Sequence, residues 1–223
     1  MTWKTVFIVL YALVSCVHLL SCFFEWRALR VVTKCIVMPL LCAVYIVCSE
    51  ELIWAVPAAL GLSAIGDFAL LFADKPAHMV PGIASFALAH LTYAGITAFG
   101  GYMAGVQWWL ALLIVLAFLA LAAFIWSCAA RHMEVRMRVA GALYALVICG
   151  MAACQTIAFA AAPSLGTLLL VLGALAFVVS DSTLARIVLI PEKRLPKGTF
   201  AVMSTYILAQ TLLVCGYQMA VTV

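Results

Sequence analysis

The chain alternates long apolar runs with short polar or glycine- and proline-containing breaks. Apolar stretches occupy residues 5–24, 35–49, 52–73, 79–99, 106–130, 139–162, 165–190 and 199–222. Most are about 20 residues or longer, the length of α-helix needed to cross the hydrocarbon core of a bilayer. The breaks at 25–34, 50–51, 74–78, 100–105, 131–138, 163–164 and 191–197 are short enough to join tightly packed antiparallel helices. The expected architecture is therefore all-α: a polytopic membrane bundle of about eight transmembrane helices with short loops, forming a single integral membrane domain over residues 1–223. Residues 5–24 have the apolar character of a signal peptide, but no small-residue cleavage site follows, and we read the segment as the first helix.

Composition strengthens this picture. The 223 residues are 69% hydrophobic and only 9% charged, with a mean hydropathy of +1.26, far outside the range of soluble domains. Nine cysteines are scattered singly, without a CxxC pair, and fit neither a disulfide framework nor a zinc knuckle. The net charge of +4 does not imply a nucleic-acid partner, because the basic residues fall in the breaks between spans.

Their distribution sets an orientation. Arg27, Arg30, Lys34, Lys75, Arg131, Arg136, Arg138, Arg186, Lys193, Arg194 and Lys197 all fall on the side of the odd-numbered loops, whereas Lys4 alone falls on the other. By the positive-inside rule the odd loops are cytoplasmic and both termini lie outside.

Two carboxylates interrupt the spans: Asp67 in SAIGDFALL and Asp181 in FVVSDSTLA. A charged Asp at the centre of a membrane helix costs about 2.5 to 3.5 kcal/mol on insertion scales, so an acid retained there points to function. Counted from the cytoplasmic end of their spans, both acids lie roughly 9 to 14 Å deep at 1.5 Å per residue, a level at which they can share one cavity. His90, Tyr93, Tyr144, Tyr206 and Gln210 fall in the same half of the bundle, Ser180 adjoins Asp181, and Lys34 stands at the mouth. Each has an ordinary alternative: a lone intramembrane histidine is commonly a packing residue, tyrosines form interfacial belts, and a lysine marks topology. The loop histidines His78 and His132 are given no role.

Several blocks resemble the lysoplasmalogenase (YhhN-type) family of multi-pass membrane proteins: VTKCIVMPLL, LSAIGDFALLF, GIASFALAHLTY, ALYALV, LGALAFVVSDSTLA and STYILAQTLL, in that order. The resemblance implies an enzyme that hydrolyses the vinyl ether bond of lysoplasmalogens, 1-alkenyl lysophospholipids, to a fatty aldehyde and glycerophosphoethanolamine or glycerophosphocholine. The expected partner is a lysophospholipid within the bilayer. Such a reaction needs an acid, a base and a positioned water, and two carboxylates in a partly dry pocket can divide those duties, as they do in glycosidases. On this reading Asp67 and Asp181 are catalytic. Tyr93, Tyr206, His90 and Gln210 orient water and the ether oxygen, Tyr144 and Ser180 complete the substrate pocket, and Lys34 or neighbouring arginines hold the phosphate. No cofactor is expected, and no metal: His18 and His90 are the histidines inside spans, without HxxxH spacing. The rival is a proton-coupled transporter using the same acids. The expected location is a bacterial inner membrane, with the cavity towards the cytoplasmic leaflet.

A fusion assay checks the orientation. Alkaline phosphatase joined to the C-terminus is expected to be active and green fluorescent protein at the same point dark, and the opposite pattern would invert the bundle.

Overall fold

The computed structural model describes residues 2–72, 79–190 and 195–221, apart from the side chains of Arg136 and Val221. The basic residues Lys75, Lys193 and Arg194, and the loop residue His78, lie outside the described residues. Eight helices follow in order: α1 (Trp3–Phe23), α2 (Arg27–Cys48), α3 (Ala55–Leu71), α4 (Val80–Phe99), α5 (Trp108–Ala130), α6 (Val135–Ala161), α7 (Leu165–Leu189) and α8 (Gly198–Val221). Seven are long and apolar enough to cross a membrane, and α3 is apolar but shorter, at 17 residues. The protein is a multi-pass helical membrane protein.

The helix starts depart from the sequence reading mainly at α2, which begins at Arg27 rather than at residue 35. The segment between holds arginines and Lys34 but neither Gly nor Pro, so nothing in it opposes helix formation, and long basic side chains reach from a helix end towards water. Lys34 is consequently a helical residue about two turns inside α2, not a loop residue.

Consecutive helices pair as hairpins, and α1, α2, α3, α4, α6, α7 and α8 close into a ring in which α8 returns to α1. Helix α5 lies outside it against α6, with Ala122 its one buried residue, so its surface faces lipid almost all round. Large apolar side chains such as Phe99, Trp108 and Leu113 are exposed, while His18, Ser63, Asp67, His90, Thr97, Gln155 and Gln210 are buried. Lipid is as apolar as a leucine core, so helices gain little by hiding apolar surface from it. Close backbone contact and interhelical hydrogen bonds hold them together instead.

Two hairpins show the close contact. A methyl group on Gly66 of α3 would lie 3.2 Å from the Gly82 carbonyl oxygen on α4, and one on Gly82 would lie 3.3 Å from the Gly66 carbonyl. In α7 and α8, a methyl on Gly166 would meet the Ala220 nitrogen at 2.9 Å, and one on Gly173 the Ala209 carbonyl at 3.0 Å. The loops at the basic end are tied as well. Glu25 adopts a left-handed conformation (φ 61°), which lets the Trp26 amide bond the Ser21 carbonyl at 2.9 Å and end α1. Lys197 then donates to the Phe23 carbonyl at 2.7 Å, so the α7–α8 connection caps α1.

Glycine replacement separates contact from propensity. Gly166→Ala and Gly173→Ala are expected to lower the melting temperature of purified protein by several degrees, because rigid backbone faces the new methyl. Gly150→Ala, with open space around it, is expected to hold or raise it. Thermal-shift size-exclusion chromatography distinguishes the two sets.

Candidate functional site

Asp67 lies about one turn before the end of α3, buried among three helices. Its Oδ1 is 3.3 Å from the Lys34 ammonium on α2, and its Oδ2 accepts a 2.8 Å hydrogen bond from the Tyr206 hydroxyl on α8. The α2 turn that carries Lys34 is therefore committed to the carboxylate. Lys34, expected at the mouth of the site, forms with Asp67 an ion pair whose members are 16% and 5% exposed. A pair so enclosed keeps its ions only because each neutralises the other.

Asp181, on α7 about two turns from its end, has different partners. Its Oδ2 accepts from the Tyr144 hydroxyl on α6 in a short hydrogen bond and lies 3.4 Å from Nε2 of His90 on α4. The same Nε2 is 3.3 Å from the Tyr144 oxygen, so three side chains from three helices form one cluster. His90 is wholly buried while the Asp181 side chain keeps 16% exposure, which makes the acid the accessible member. Ser180 points elsewhere: its hydroxyl donates to the Val202 carbonyl at 3.1 Å and ties α7 to α8.

Aromatic rings join the clusters. Phe177, one turn before Asp181, packs edge-on against His90 with centroids 4.7 Å apart and against Tyr206 at 5.6 Å. Phe86 closes the far side of Tyr206 at 5.8 Å.

Further along the bundle, towards the end opposite the basic loops, Tyr93 donates to Gln210 Oε1 at 2.8 Å, and Gln210 donates to Ser63 Oγ at 2.8 Å. Ser63 and Asp67 are one turn apart on α3, as are Gln210 and Tyr206 on α8, so the two helices meet through parallel polar rungs. Beyond them Thr97, Gln155 and Tyr217 bond one another at 2.8–2.9 Å, and Tyr217 donates to the Tyr93 carbonyl at 2.8 Å. The structure thus brings Lys34, Asp67 and Tyr206 together and sets His90, Tyr144 and Asp181 beside them. Tyr93 and Gln210 are spent on each other and on Ser63. Sequence reasoning missed Ser63 and Phe177, which are legible only as residues one turn from each acid. It also missed a buried cluster in which His18 bonds Thr33 at 2.8 Å and faces the Cys22 thiol at 3.6 Å.

Architecture and site together describe a polytopic membrane protein with two acids, Asp67 buried and Asp181 partly exposed, towards the basic end of its bundle. The YhhN family profile matches residues 29–217, and the chain belongs to that family. It is 34% identical over 155 residues to lysoplasmalogenase TMEM86B of Homo sapiens, a match covering 70% of this chain and 59% of that protein. The matched region thus spans about six-tenths of that relative's length. No solved structure matches.

The enclosed ion pair makes a testable demand. Lys34→Met alone, which strands the carboxylate, is expected to destabilise the fold by about 3 to 5 kcal/mol, whereas Lys34→Met with Asp67→Asn restores much of the loss. Unfolding in graded denaturing detergent measures both.

Proposed function

We propose that the protein is a hydrolase of lysoplasmalogen type, in which water cleaves the vinyl ether of a 1-alkenyl lysophospholipid and releases a fatty aldehyde with glycerophosphoethanolamine or glycerophosphocholine. Family membership and the similarity to a human lysoplasmalogenase support the reaction class. The observation that carries the reading to residues is two intramembrane acids, Asp67 buried and Asp181 partly exposed, each with its own cation or donors and bridged by the Phe177 ring, which touches His90 of one cluster and Tyr206 of the other.

The chemistry asks for that asymmetry. Protonating the alkene carbon creates an oxocarbenium ion, which needs an acid beforehand and a nearby negative charge afterwards. Capture by water needs a base, and two carboxylates in different surroundings can hold opposite protonation states at one pH. Asp67 and Asp181 form that acid and base pair. Tyr206 and Tyr144 steady their oxygens, and Tyr93 and Gln210 brace α4 and α8 behind them. Ser180 fixes the turn that presents Asp181. The alkenyl chain lies between helices and the phosphate at the basic end, where Arg27 and Arg30 begin α2, facing the cytoplasmic leaflet of a bacterial inner membrane.

Family membership and the human relative favour an enzyme over a transporter. Beyond the acids, Thr97, Gln155 and Tyr217 hydrogen-bond one another towards the far end of the bundle and tie α4, α6 and α8 together.

Purified protein is expected to release aldehyde from 1-alkenyl lysophosphatidylethanolamine, while Asp67→Asn and Asp181→Asn each lose activity by about 100-fold or more with the fold intact. If both variants kept wild-type hydrolysis, the assignment of the acids would be wrong.

A further inference from the structure

His90 has two ring nitrogens, and the contacts described so far use one. Nε2 faces Asp181 Oδ2 and the Tyr144 oxygen at 3.4 and 3.3 Å. Tyr144 gives its single proton to Asp181. To sit beside a carboxylate oxygen and a hydroxyl oxygen whose proton is committed, Nε2 must itself carry hydrogen, which leaves the lone pair of a neutral imidazole on Nδ1. That nitrogen is fully buried and has no hydrogen-bond partner among the described residues. Buried polar atoms are ordinarily satisfied, and one left over on the ring that Asp181 and Tyr144 hold marks a place for a ligand atom able to donate a hydrogen bond.

We propose that His90 is the base of the reaction: Nδ1 takes a proton from the hydrolytic water, while Asp181 and Tyr144 hold the ring by its other nitrogen. The inference rests on the hydrolase reading and revises one part of it: the base is His90 held by Asp181, not Asp181 itself. Asp67 enters the cycle protonated and gives its proton to the alkene carbon distal to the ether oxygen, and the carboxylate so formed is the ion-paired state in which Lys34 and Tyr206 hold it. The water oxygen bonds to the ether-bearing carbon of the oxocarbenium ion as its proton passes to Nδ1. In the collapse of the hemiacetal, the bond from that carbon to the glyceryl oxygen breaks. The glyceryl oxygen takes the proton held by His90, and the hemiacetal hydroxyl proton returns to Asp67. One water is consumed and both groups regain their starting states. Asp181 is then a positioning residue that fixes the imidazole and balances its charge, the arrangement by which a carboxylate serves a histidine in hydrolytic triads.

Two variants separate this role from packing. Gln at position 90 places an amide donor near the position of Nε2 and can keep the bond to Asp181, but it has nothing in the place of Nδ1. Both His90→Gln and His90→Ala are expected to lose kcat by about 100-fold or more, with KM within about threefold of wild type, on 1-alkenyl lysophosphatidylethanolamine. Added imidazole is expected to restore His90→Ala about tenfold and to leave His90→Gln unchanged. A His90→Gln enzyme with more than about a tenth of wild-type kcat, or a loss confined to KM, overturns the proposal. So does a folded His90→Ala that imidazole does not revive. If His90→Ala fails to fold, the His90→Gln kinetics decide alone. Wild-type protein inert towards the vinyl ether overturns the hydrolase reading and the relay with it, whereas active wild type beside an active His90→Gln removes the relay only.

Discussion

A carboxylate carried into a lipid-embedded bundle has no water to answer its charge, so every neighbouring helix must offer a cation or a hydrogen-bond donor. In this protein that demand is met twice, from helices other than the one bearing the acid. Asp67 on α3 draws Lys34 from α2 and Tyr206 from α8, and Asp181 on α7 draws Tyr144 from α6 and His90 from α4. Six of the seven ring helices are thereby fastened through one pair of acids. The seventh, α1, joins through His18, which bonds Thr33 of α2, through Tyr11, which bonds Thr211 of α8, and through Lys197, which reaches across to its last carbonyl. Because lipid offers no hydrophobic incentive for the helices to associate, these polar contacts and the glycine-mediated backbone contacts account for much of what holds the ring closed.

The same interactions reveal a kinship between two parts of the chain. In α3–α4 and in α7–α8 an acid near the basic end of the first helix is followed by a polar partner in the second, and each hairpin is drawn tight by facing glycines. The partners are exchanged. The acid of the first hairpin bonds Tyr206 of the second, and the acid of the second bonds His90 of the first. Yet the two halves are not chemically equivalent, since Lys34 attends one acid and an imidazole attends the other. Two similarly built hairpins thus carry unlike sites, which suits the proposed reaction with its need for both an acid and a base.

Much of this was legible in the sequence because membranes impose simple rules. Eight apolar runs gave eight helices, and the two acids stood out because their cost in lipid is high. The errors trace to features that hydropathy does not encode. Charge alone suggested a loop up to Lys34, whereas backbone propensity continued the helix through it. Equally unreadable were the partners that Tyr93 and Gln210 take, each other and Ser63, a matter of which faces meet across α3, α4 and α8. Periodicity within one helix shows which residues share a face, and not which face of another helix it will find. The preference of Lys34 for Asp67 over the loop end is of the same kind.

The exchange of partners bears on how the molecule comes together. Helices inserted one after another pass through a stage at which the hairpins exist separately in the bilayer, before they associate laterally. At that stage α3–α4 holds an acid without Lys34 or Tyr206, and α7–α8 an acid without His90 or Tyr144. Neither hairpin can settle its own charge, so each is incomplete until the other arrives in register. A slip of one helical turn between them would undo both acid clusters at once. The residues proposed for the chemistry thus also check the assembly: a misdocked bundle announces itself through two uncompensated charges, and the correctly docked one is the arrangement that silences them.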